Sequence, residues 1–184
     1  MNKKSRRTLI ALIAVCVLPV AASYFAFYVW KPDARMNYGT LVSPALLPEA
    51  PLMNLAGEPV AREQLTGKWT YLVVAPSACN DACQEALYLT RQIRTAQAKE
   101  MDRVHRIWLV TDSGMPDGKL LSAHEGMGVV VANDAWRERF AFDGLPRVWL
   151  VDPQGYVMMR YPDSLEAKRM IKDLGRLLKY SQQG

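Results

Sequence analysis

The feature that most constrains this chain is a stretch of 22 residues, Leu9 to Trp30, without a single charged side chain. A helix rises about 1.5 Å per residue, so a run of this length spans a hydrocarbon core of roughly 30 Å. A spanning segment in lipid must satisfy its own backbone, which a helix does, and Pro19 is tolerable there. Lys3, Lys4, Arg6 and Arg7 precede the run. By the positive-inside rule they hold the N-terminus in the cytoplasm. Tyr24, Tyr28 and Trp30 gather at the far end, where amphipathic rings favour the membrane interface. Val20-Ala21-Ala22 also fits the small-residue pattern of a cleaved signal peptide. The apolar run continues well past it through Trp30, which favours an uncleaved single-pass anchor. On either reading the rest of the chain lies outside the cytoplasm, which in a bacterium means the periplasmic side of the inner membrane.

Beyond the anchor about 150 residues remain, enough for one domain with its own core. Half of the residues are hydrophobic and 22% are charged, a balance unlike that of disordered chains. The net charge is +5, and the four basic residues before the apolar run supply most of it. The high pI therefore reflects a membrane flank, and no nucleic-acid partner is expected. Pro32, Pro44, Pro48 and Pro51 punctuate the next segment and read as an extended tether. The expected plan is a basic flank over 1–8, an anchor over 9–30, a tether over 31–51 and a domain over 52–184.

Within that domain the apolar pattern alternates between strand and helix. Leu52 to Gln64 predicts a small hairpin turning at Ala56-Gly57-Glu58-Pro59. Trp69–Val74 and Val104–Val110 are aromatic and β-branched runs that predict buried strands. Between them, Ala82, Ala86, Leu89 and Ile93 recur at helical steps to about Ala98, after a cap at Asn80 or Asp81. Strand, helix, strand is a crossover unit with parallel strands. Thr111–Gly128 reads as a polar loop, Val129–Val131 as a strand and Asn133–Phe140 as a short helix. Val148–Val151, the turn Asp152-Pro153-Gln154-Gly155 and Tyr156–Tyr161 predict an antiparallel pair. A last helix is expected from an Asp163 cap with Glu166 three residues on. Its buried stripe would be Met170, Ile171, Leu174, Leu177 and Leu178, and its wet face Lys168, Arg169, Lys172, Arg176 and Lys179. The expected fold class is α/β, a central mixed sheet flanked by helices.

Of three cysteines, Cys16 lies within the apolar run and reads as a small hydrophobe. Cys79 and Cys83 lie in the outer domain, where disulfide chemistry is permitted. Their segment joins a buried strand to a helix N-terminus, where unpaired N–H groups and partial positive charge favour a thiolate. A spacing of four puts both sulfurs on one helical face, so they can join as a disulfide or close on one metal ion. A structural staple is the plain alternative. Pro146, just before the Val148 strand, could carry a cis bond and pack beside the cysteines.

These features resemble the Sco/SenC family. The resemblance rests on the strand–Cys79-x-x-x-Cys83–helix–strand order and on the late strand ending in Asp152-Pro153-Gln154-Gly155. It also rests on segments such as Tyr38-Gly39-Thr40-Leu41-Val42 and Trp108-Leu109-Val110-Thr111-Asp112. The resemblance implies a membrane-tethered thioredoxin fold and a role in cytochrome c oxidase assembly. It implies Cu(I) held by Cys79 and Cys83, and an oxidase subunit or another assembly factor as partner. The family's third ligand is a histidine shortly before the late strand, where this chain reads Asp143-Gly144-Leu145-Pro146-Arg147. Asn80 and Gln84 stand where the family has prolines. His105, at the start of its strand, would lie on the wrong edge of the sheet. His124, in the long loop between Met115 and Met127, is the candidate third ligand. Three functions follow as expectations: copper handling for oxidase assembly, thiol–disulfide reduction of a client's metal-binding cysteines, or a non-catalytic scaffold.

Overall fold

The computed structural model describes residues 3–28 and 37–181, which form two separate compact units. The first is helix α1, Lys3–Tyr28, with Pro19 inside it. Over Ser5–Tyr28 it is long and apolar enough to cross a membrane, with a mean hydropathy of 2.4 in its most apolar 18-residue window. Val29 and Trp30, the last residues of the expected anchor, lie outside the described residues, as do residues 31–36 of the tether.

The second unit begins at Asn37. Its strands in chain order are β1 (Thr40–Leu46), β2 (Leu52–Asn54), β3 (Pro59–Val60) and β4 (Trp69–Ala75). Helix α2 (Asp81–Ala96) and strand β5 (Val104–Val110) follow, then α3 (Gly118–Ala123), β6 (Gly128–Val131) and α4 (Asp134–Arg139). Strands β7 (Arg147–Val151) and β8 (Tyr156–Arg160) precede the final helix α5 (Ala167–Tyr180). The strands make one sheet in the order β1-β8-β7-β4-β5-β6-β2-β3. Strands β4, β5 and β6 are parallel, and the others join antiparallel.

Strand β4 is buried along its whole length, as its unbroken apolar run requires of a strand covered on both faces. Its alternate residues feed two cores. Tyr71 and Val73 pack with Ile93 of α2 and with Met170 and Leu174 of α5. Leu72 and Val74 pack on the other face with Trp136 and Phe140 near α4. At roughly 1.5–3 kcal/mol for each large side chain buried, these layers dominate the stability of the domain. The turn after β7 closes as expected, with Gly155 N–H donating to Asp152 O at 3.0 Å and Gly155 at φ +90°, a conformation that glycine adopts at little cost.

Several expectations are corrected. The tether expected over 31–51 includes a strand, because β1 pairs antiparallel with β8. Proline is compatible with an edge strand, and the pairing shifts register between Leu41 and Ala45, where Pro44 sits. The loop expected over Thr111–Gly128 contains α3, whose cap is Asp117, its carboxylate accepting from Lys119 and Leu120 N–H. Helix α2 ends at Ala96, and Ala82 is exposed while Cys83 and Leu87 take the inward positions. Helix α5 starts at Ala167 with Glu166 at the cap position. Asp163 is drawn away from a capping role by an ion pair with Arg147.

Candidate redox site

Parallel strands present their sites at their C-terminal ends, and the cysteine loop leaves β4 at that end, after Ala75. Two contacts hold the end of the strand. The Trp108 indole N–H donates to Ala75 O at 3.2 Å, and Thr111 N–H donates to the same oxygen at 3.2 Å. The loop then turns, with Cys79 N–H donating to Ser77 O at 2.9 Å. Asn80 caps α2, its Oδ1 accepting from Cys83 N–H at 3.0 Å. The Gln84 side chain reaches back to Cys79 O at 3.1 Å.

Cys79 and Cys83 are joined as a disulfide, with their Cα atoms 5.2 Å apart. The two sulfurs have different surroundings. Cys83 is fully buried in the core beneath α2. Cys79 is half-buried and lines an open cleft of about 810 Å³ with Ser77, Met115, Asp117 and Lys119. A nucleophile from outside can therefore approach Cys79, while Cys83 is reached only from Cys79.

Asp112, just past the end of β5, anchors this loop from the neighbouring strand. Its carboxylate accepts from Ser77 N–H at 3.1 Å and from Gly114 N–H at 3.2 Å. Burial pushes the carboxyl up, but the hydroxyl and N–H of Ser77 and the N–H of Gly114 outweigh it and leave the group below its ordinary value. A Cβ at Gly114 would lie 2.1 Å from Ser77 Oγ, so a larger residue there would have to displace that hydroxyl. Sequence reasoning missed Asp112, Ser77 and Gly114 as parts of the site. The available signal was position: Asp112 follows β5 at the same sheet edge from which the cysteine loop leaves β4.

The other sequence candidates fall elsewhere. His124 forms the C-terminal cap of α3, and its cavity is shared with Asn54, Leu121 and Met127 rather than with either cysteine. Neither cysteine lines the cavity around His124, which runs against the expectation that the loop carries it to them. Burial, with Arg106 and Arg91 nearby, holds His124 below the usual histidine value. His105 sits at the start of β5, opposite Thr70, on the far edge from the cysteines. Pro146 is on the correct edge, since Arg147 pairs with Val74 near the end of β4. Its peptide bond is trans, as are all those described, and Pro146 does not line the Cys79 cleft. A salt bridge positions its segment instead, with Arg147 bonded to Asp143 at 2.5 Å and to Asp163. The Arg147 bond holds the Asp143 carboxyl below the usual range. Among the described residues no three His, Cys, Asp or Glu side chains are grouped to hold a metal ion. Met158 and Met159 pack with the core.

A family model described as the transmembrane-like, thioredoxin-like, C-terminal domain matches residues 69–181. The chain belongs to this family. Among solved structures it is similar to copper-bound Sco1 of yeast, at 16% identity and a TM-score of 0.65, covering 76% of this chain and 96% of that one. Copper-bound ScoI of Bradyrhizobium japonicum is similar at 19% identity and a TM-score of 0.56, with 72% and 99% covered. A thiol:disulfide interchange protein DsbE of Chlorobium tepidum is similar at 20% identity and a TM-score of 0.56, with 75% and 97% covered. No curated protein matches the chain. At these identities the structural likenesses establish the thioredoxin-like fold.

Proposed function

We propose that this chain is a membrane-tethered thiol–disulfide protein of the extracytoplasmic face, anchored by residues 9–30 and acting through Cys79 and Cys83. The observation that carries this reading is the asymmetry of the pair. One sulfur faces an open cleft at a helix N-terminus, and the other is sealed in the core. In the dithiol form, Cys79 thiolate attacks a client disulfide and displaces one client thiolate. Cys83 thiolate then attacks Cys79 sulfur, restoring the bond between them and releasing the client's second thiol. Two electrons and two protons reach the client, and a second dithiol protein must reset the pair. A client whose metal-binding cysteines must be kept reduced suits this chemistry, and the bacterial periplasm is the compartment where such cysteines oxidise.

Copper handling for a respiratory cytochrome c oxidase is the second reading, favoured by the likeness to Sco proteins solved with copper. Copper would be cargo rather than a resident cofactor. Once reduced, Cys79 and Cys83 offer two soft sulfurs, a donor set that fits Cu(I) and not Cu(II).

One preparation tests both readings. The full chain is reduced in detergent, alkylated near neutral pH, and in parallel loaded with Cu(I) against a modest chelator. Cys79 is expected to be alkylated first, and the couple to lie above about −300 mV, the value below which structural disulfides fall. Slow, equal labelling of both cysteines with a potential below about −300 mV would leave only a staple. Retention of about one Cu(I) per chain, lost in Cys79→Ser and Cys83→Ser, supports the copper reading. Failure to retain it removes copper and leaves thiol exchange standing.

A further inference from the structure

Helix α5 carries a charge pattern that the thiol chemistry does not use. Lys168, Lys172, Arg176 and Lys179 follow one another at steps of four, four and three residues, which stacks them along one side of the helix. Met170, Leu174 and Leu178 are buried on the opposite side. After Met36 the chain has 17 Lys and Arg against 17 Asp and Glu, so the domain is neutral overall. Helix α5 alone holds five of those cations. Its single acid, Asp173, is buried, its carboxylate accepting from Tyr38 N–H at 2.8 Å and Gly39 N–H at 3.0 Å. The remainder of the domain is therefore net acidic, and the surplus positive charge is confined to one helix.

The same helix receives the chain as it arrives from the anchor. Besides the two bonds to Asp173, the Arg169 guanidinium lies 4.3 Å over the Tyr38 ring. Nine peptide steps separate Tyr28 from Asn37, a contour of roughly 30 Å at full extension. A tether of at most that reach makes contact between the domain and the bilayer an intramolecular event at high effective concentration.

We infer that α5 docks on the anionic headgroups of the membrane that holds the chain's own anchor. Basic residues near such a surface each strengthen attraction roughly fivefold, within a Debye length of about 8 Å. Tyr180, 80% exposed at the end of the stripe, is an amphipathic ring of the kind that settles at headgroup level. Docking also aims the redox site. Strand β8 ends at the cysteine edge, and α5 runs back from there to the opposite edge. At that edge Arg103, before β5, donates to Leu178 O and Ser181 O. With α5 flat on the surface, the Cys79 cleft opens parallel to the membrane plane, toward clients embedded in or attached to the same membrane. The inference rests on the anchor reading and not on the thiol chemistry.

The test is lysine acetylation, read residue by residue by mass spectrometry. The full chain is placed in nanodiscs of phosphatidylcholine alone or with about a third phosphatidylglycerol. Co-elution with the zwitterionic discs checks the anchor separately. In anionic discs Lys168, Lys172 and Lys179 should react at least about threefold more slowly than in zwitterionic ones, while Lys68 and Lys119 should not change. High salt should abolish the protection by screening. The K168Q/K172Q/K179Q variant, altered only at exposed positions, should lose docking by on the order of a hundredfold. The readout for the variant is faster tryptic cleavage at its remaining α5 arginines in anionic discs. Equal acetylation in the two kinds of disc would overturn the inference. So would protection that appears only when polyglutamate is added, which would instead assign the stripe to an acidic protein partner.

Discussion

Asp112 ties the cysteine loop to the end of the neighbouring strand through Ser77. Its carboxyl is held below its ordinary value. A depressed folded-state value means that this stabilisation is complete above the unfolded value of about 4 and is lost as pH falls through the folded value. Asp112→Asn should cost about 1 kcal/mol at neutral pH, because the amide oxygen still accepts and only the charge-assisted part of the bonds is lost. It should also flatten the acid limb: between pH 6 and pH 3 the variant should lose less melting temperature than the parent. Thermal unfolding across that range decides it, and identical acid limbs would deny Asp112 the role. At this scale the sequence made the cysteines legible, because two sulfurs at a strand-to-helix junction are rare and chemically distinctive. Asp112 and Ser77 were not legible. An aspartate after a strand and a serine in a loop are common, and only the pairing of β4 with β5 brings them together.

The elements themselves were legible wherever one periodicity dominated. Strands β4, β5 and β7 fall on the runs expected for them and are neighbours in the sheet. Helix α4 begins after its Asn133 cap, which accepts from Trp136 N–H at 3.2 Å. The failures came where local rules competed with tertiary contacts. Strand β1 was hidden by its proline, which an edge position tolerates, and α3 by its brevity. The cap of α5 was displaced because Arg147 recruited Asp163. Helix α2 is the element on which the proposed chemistry turns, since Cys79 immediately precedes its Asn80 cap and Cys83 lies in its first turn. Asn80→Ala removes the side-chain acceptor for Cys83 N–H and should destabilise the domain by about 1 kcal/mol. The expected result is a lower denaturant midpoint with an unchanged slope, with Asn80→Asp restoring most of the loss. An Asn80→Ala midpoint equal to the parent's would mean that the cap adds nothing here.

At the scale of the whole molecule, one helix able to cross a membrane precedes one α/β domain. The basic flank predicts the sidedness: a reporter fused after Gly184 should be active only when it functions outside the cytoplasm. Activity of a cytoplasmic reporter at that position would reverse the proposed orientation. The core of the domain is built from long-range contacts between Tyr71, Trp108, Leu150 and Leu174, and none of these depends on a sulfur–sulfur bond. The bond between Cys79 and Cys83 spans a sequence separation of only 4. A cross-link restricts the unfolded chain in proportion to the loop it closes. On the loop-entropy account a ring this small adds about 2 kcal/mol, against nearly 5 for one closing a hundred residues. As a brace it is therefore among the weakest a chain can make, and the domain can lose it without losing its shape. Opening this bond costs the fold less than opening most cross-links would, as the proposed thiol exchange requires.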